Sequence, residues 1–172
     1  MGGGVSLGGY RGWVEQERCD LDAVLRSNRG VSELTLRLVQ RSAFEWGCTL
    51  SLVGEHWDVG QGRPFTGTVD GFILTTTALD ALHRHLLSWL SSPLEALVPS
   101  RLDAVLELAA PGQTLCFRFG PVDHVLAAVG KPVVGVRFSM GELAGSFHLV
   151  CDPSCLALFA DGLAHALQTI RA

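Results

Sequence analysis

A few histidines, two cysteines and one polar-aromatic cluster are the side chains of this 172-residue chain whose types and spacing could do chemistry. His83 and His85 invite a metal reading, but two residues apart on a helix point roughly 200° apart and cannot share one ion. Half-exposed positions flanking an apolar stripe are the simpler account. Cys151 and Cys155 straddle Asp152 and Pro153, a helix start whose dipole could lower a thiol pKa. There is no CxxC motif and no second Cys/His pair at zinc spacing, so both read as small packing residues. His148, on the polar side of a strand, could meet Asp70 or Glu107 as a base and its orienting carboxylate. Phe117, Phe119 and Phe138 at strand spacing read first as core; they could also line a pocket between sheet and helices, with Arg118 or His148 as its polar group.

None of these residues sits in a recognisable reaction motif. Walker, GxGxxG, HExxH and kinase signatures are missing. Gly2, Gly3 and Gly4, like Gly60 and Gly62, lack the strand-loop-helix setting that phosphate binding needs. The sequence therefore assigns no catalytic residue, no cofactor and no metal. It does mark a surface: 54–64 reads as a glycine- and proline-rich loop carrying His56, Trp57 and Asp58, a set that loops rarely keep for packing alone.

The elements that must position these residues are clearest at the C-terminal end. Leu143, Gly145, Phe147 and Leu149 alternate with Ser146 and His148, the period of a strand with one buried face. Asp152 is a good N-cap and Pro153 fits the first helical position. From there Leu156, Phe159, Ala160, Leu163, Ala166, Leu167 and Ile170 form one apolar stripe. The back of this helix carries little charge, and Leu158, Gly162 and His165 on it are expected to meet a second helix or another copy of the chain.

Upstream, Leu21, Val24 and Leu25 suggest a helical turn started by Asp20. Strands are expected over Glu33–Gln40, 44–52 and 65–73, the last with Phe65, Gly67, Val69, Gly71 and Ile73 on one face. A helix with Leu79, Leu82, Leu86, Trp89 and Leu90 on its inner side follows, its start marked by Thr77 and Asp80 as a capping box. Further strands are expected over 102–108, 115–119 and 134–138, with a turn at Pro111 and Gly112 and another near Gly141 and Glu142; a helical turn is possible over 125–129. Leu79, Leu82, Leu86 and Leu90 match Leu156, Phe159, Leu163 and Leu167 at one constant offset, so the strand and helix at 65–90 are echoed at the C-terminus. The expected fold is α+β: a curved, mainly antiparallel sheet of about seven strands, two amphipathic helices on one face, and two strand-helix pseudo-repeats. A glycine-rich leader over 1–12 precedes a single domain over 13–172.

Composition bounds the function classes. At 48% hydrophobic and 17% charged residues the chain is a packed globule, not a disordered one. Net charge is −4 with scattered arginines, which gives no electrostatic footprint for nucleic acid. No uncharged run approaches the length of a membrane span, and the glycine-rich start lacks the basic and apolar regions of a signal peptide. Five irregularly spaced cysteines are no disulfide framework, so a reducing cytoplasm is expected. A formal myristoylation pattern at Met1, Gly2 and Ser6 has no second membrane signal beside it. Lys131 is the only lysine and Asn28 the only asparagine, a skew typical of GC-rich bacterial genomes.

With its alternating sheet, the Phe65, Thr66, Gly67 strand motif and the leucine-spaced helix soon after, the chain resembles small uncharacterised bacterial proteins, including immunity proteins that neutralise polymorphic or wall-associated toxins. The resemblance runs from Phe44 to Trp89 and again from Val134 to Leu167. It implies a non-enzymatic binding protein with a protein partner, and carries no functional residue with it. A homodimer through the final helix and a small-molecule site around Phe117, Phe119 and Phe138 are the alternatives.

Overall fold

Period-two hydrophobic patterning governs most of the chain, and it produces eight strands among the described residues, where about seven were expected. A computed structural model describes residues 20–27, 32–58, 61–97, 100–106, 108–120 and 132–169. Strands β1 (Asp20–Arg26), β2 (Glu33–Gln40), β3 (Glu45–Asp58) and β4 (Gln61–Thr75) form one antiparallel meander. Helix α1 (Thr76–Leu90) and a single turn α2 (Leu94–Leu97) follow. Strands β5 (Leu102–Leu106), β6 (Gln113–Phe119), β7 (Val133–Met140) and β8 (Leu143–Val150) form a second meander, and helix α3 (Pro153–Thr169) closes it. The fold is α+β, with two four-stranded sheets in place of the expected single sheet of about seven strands.

The first correction lies in β1. Leu21, Val24 and Leu25 suggested a helical turn, yet 20–26 is a strand in full register with β2. Leu21, Ala23 and Leu25 are the pattern that decides it: Ala23 and Leu25 are fully buried on the inner face, with partly buried Leu21 packed against the same core. Alanine carries too little hydrophobic signal for the alternation to stand out in the sequence.

The second lies in β4, where even and odd positions exchange faces. Cys48 pairs with Phe72 but Leu50 pairs with Val69, so Asp70 and Gly71 together oppose Thr49. This is a β-bulge, and Gly71 supplies the positive φ of 95° that it requires. The Asp70 carboxylate holds it by accepting from the Thr49 hydroxyl at 2.6 Å and from the Gly71 N–H at 2.8 Å. Beyond the bulge Phe72 and Leu74 are the fully buried residues, and Ile73, expected inside, is only half-buried.

Helix α1 begins at its own cap: the Thr75 hydroxyl accepts from Ala78 N–H at 3.0 Å, two residues before the expected Thr77. Helix α3 starts at Pro153 as the sequence indicates, with Cys155 and Leu156 N–H both donating to Asp152 O. Expected turns at 112 and 141 are also present, each with glycine at positive φ. The 1–12 leader and the 125–129 turn lie outside the described residues.

One core joins both halves. Phe72 of the first sheet meets Phe138 of the second edge-on at 6.3 Å, α1 reaches the second sheet through Trp89 on Phe119 at 5.7 Å, and α3 through Phe159 on Phe117 at 6.0 Å. Helix α3 also packs on β1 and on α1, while α1 packs on β5. Each helix thus lies against the first strand of the other meander. The sheets are stitched where Leu74 bridges Leu108, Ala109 N–H donates to Ile73 O, and the Gln113 side chain donates to Gly71 O and accepts from Ile73 N–H.

Candidate functional site

Residues 54–58 and 61–64 are strand, where a loop was expected. His56, Trp57 and Asp58 end strand β3, opposite Arg63, Gly62 and Gln61 of β4. Glycine and proline in the run suggested a loop, but Gly54 and Pro64 each take an ordinary antiparallel partner, Phe65 and Glu55. The last pair joining β3 to β2 is Val53 with Glu33, so from Gly54 onward β3 and β4 have only each other as strand neighbours among the described residues. The five remaining residues of β3 extend this two-stranded arm by about 17 Å at ~3.4 Å per residue. Only its register is described, not its side chains.

The suggested pocket is taken apart by strand parity. Phe117, Phe119 and Phe138 face inward and are at most 8% exposed, while Arg118 and His148 are on the opposite face of the same sheet. Successive residues of a strand point to opposite sides, so Arg118 cannot share a cavity with both its neighbours. The ring of Phe138 instead lies over Gly145, where a Cβ would come within 2.6 Å of it. His148 and Asp70, weighed as a catalytic pair, sit on different sheets; Glu107 lies outside the described residues.

On that outer face, the register aligns Asp103, Arg118, Gly135 and His148 across β5 to β8. The Asp103 carboxylate accepts from Arg101 at 2.6 Å and from Arg118 at 2.8 Å. Its pKa is held below the ordinary carboxylate value, first by the Arg101 hydrogen bond, against a smaller burial effect, with Arg118 adding to the lowering. The outer face of the first sheet is likewise lined with polar pairs, Arg37 with Asp22, Arg26 with Glu33 and Thr49 with Asp70.

Two of the cysteines, Cys48 and Cys151, are unsuited to chemistry. Cys151 is fully buried, and burial pushes its thiol up to about 12, opposite to the lowering a helix start could have given. Cys48 is also pushed up to about 12 by burial, with the Asp70 charge adding to it. His83 is half-buried and His85 exposed, and among the described residues no group of three His, Cys, Asp or Glu side chains could hold a metal.

On α3 the three marked residues part company. Leu158 is 66% exposed and His165 is exposed, but Gly162 faces this chain's own β1. A Cβ there would lie 2.9 Å from Ala23 Cα, so glycine is what allows helix and strand to touch. The expected close approach exists, and its partner is a strand of the same chain. The signal that sequence reading missed is the length of the β3–β4 hairpin, which glycine and proline disguised.

No protein-family model and no curated protein sequence matches the chain. Among solved structures it is similar to one described as the plant transcriptional regulator PBF-2, at 10% identity and a TM-score of 0.44, over 88% of this chain and 82% of that one. Likeness at this level assigns neither a family nor a function.

Proposed function

We propose that the chain is a non-enzymatic protein-binding module of the bacterial cytoplasm, of the immunity type, and that it grips its partner with the β3–β4 arm. The observation that carries this reading is the overshoot of the arm beyond β2. A two-stranded ribbon with no third strand is marginal in water, and a partner that packs on it supplies the missing layer. Trp57, His56 and Asp58 of β3, with Arg63 opposite, offer the aromatic and charged residue types that dominate interface energetics. The reading of a reducing compartment rests on the odd number and irregular spacing of the five cysteines. No helix among the described residues is long and apolar enough to cross a membrane.

The test compares immobilised wild-type protein with Trp57→Ala in native lysate. The wild type captures a stoichiometric partner, and the variant binds it at least ~30-fold more weakly, about 2 kcal/mol for losing an aromatic anchor. Its melting temperature stays unchanged. Equal capture by both, or none by either, rejects the reading.

A further inference from the structure

The two sheets have four edge strands, and three of them carry devices that discourage pairing with another chain. Strand β1 has Asp20, Asp22 and Arg26 along its seven residues. Strand β4 has Arg63, Pro64 and Asp70, and its end is occupied by Leu108 and Ala109. Strand β5 is only five residues long and carries Asp103. Charges, proline and short length are the ordinary protections of a sheet edge. Strand β8, with the sequence LAGSFHLV, has none of these: eight residues with no Asp, Glu, Lys, Arg or Pro, and β7 as its one strand neighbour among the described residues.

We infer that β8 pairs antiparallel with β8 of a second copy of this chain, joining two four-stranded sheets into one of eight strands. The backbone fixes the register. Cys151 N–H donates to Pro132 O at 3.0 Å, in step with the β7–β8 ladder. Backbone groups in such a ladder alternate in direction, so odd-numbered residues of β8 bond to β7 while Ala144 and Ser146 turn their N–H and C=O outward. The position nearest the middle of the strand with outward groups is Ser146. A two-fold axis there sets Ser146 opposite its own copy, where the two residues exchange both hydrogen bonds. An uncharged strand can face itself in this way without repulsion, whereas the strands with guarded edges would bring like charges together. The inner-face residues Leu143, 49% exposed, and Phe147, partly buried, would then continue the core across the junction.

Sedimentation or light scattering of the full chain tests this, with three variants. The wild type is expected at twice its 18.4 kDa chain mass. Ser146→Pro removes an outward N–H and leaves the β7 ladder intact; Ser146→Lys puts two ammonium groups face to face across the axis beside Arg137. Both are expected at monomer mass with melting curves close to wild type, because Ser146 is exposed. Leu158→Glu is expected to remain a dimer. A monomeric wild type, Ser146 variants that stay dimeric, or dissociation by Leu158→Glu in place of the Ser146 variants overturns the inference. Trp57→Ala leaves the dimer intact, so failure here and failure of the arm reading are told apart.

Discussion

At the scale of single residues, the thiols give the sharpest expectation. Cys48 and Cys151 have folded-state pKa values near 12 against an ordinary 9.0. A raised value leaves their contribution complete below pH 9, and it is lost as pH rises towards 12, because only the unfolded chain ionises in that window. Each thiol then destabilises the fold by about 1.4 kcal/mol per pH unit. Denaturant unfolding from pH 8 to pH 10.5 should show this decline, and Cys48→Ala should flatten it although the variant starts from a lower stability. Parallel curves for the two proteins would refute the assignment. In the sequence Cys151, like Cys155, was legible as a packing residue from the missing CxxC motif. Which of them are fully buried was not, since that depends on how the sheets and helices close over them.

At the scale of elements, strand and helix types were mostly legible and their ends were not. Thr77 and Asp80 looked like a capping box, yet Thr75 makes the bond. Thr75→Ala should lower stability by about 1 kcal/mol and Thr77→Ala by much less, both read from urea melts. The reverse order would restore the capping box. Two features misled the reading of strands. The Gly71 bulge exchanges the faces of β4, so Ile73 yields its place to Phe72 and Leu74. Gly54 and Pro64 made a hairpin resemble a loop, because propensity is local and the ladder that overrides it is formed with a partner strand.

At the scale of the whole molecule, the two halves share a plan of four antiparallel strands and a helix, and each helix packs against the first strand of the other half. Gly162 marks one of these crossings. Gly162→Ala gains about 1 kcal/mol in helix propensity but forces Cβ to within 2.9 Å of Ala23 Cα. The backbone of β1 cannot yield as a side chain would, so a net loss of about 1–3 kcal/mol is expected in thermal or urea unfolding. A neutral or stabilised variant would mean that α3 does not sit on β1. By itself the sequence determined the α+β class, the strands from Glu33 to Gln40 and from Leu143 to Val150, and both long helices. These rest on periodicity and composition, which are properties of neighbours in the chain. Only tertiary structure divided the strands into two sheets and separated Arg118 and His148 from the phenylalanines. It alone turned Gly162 inward and left the β3–β4 arm and the edge of β8 without a further strand among the described residues. Those outcomes depend on which distant segments pair, and pairing leaves no periodic trace in a single strand.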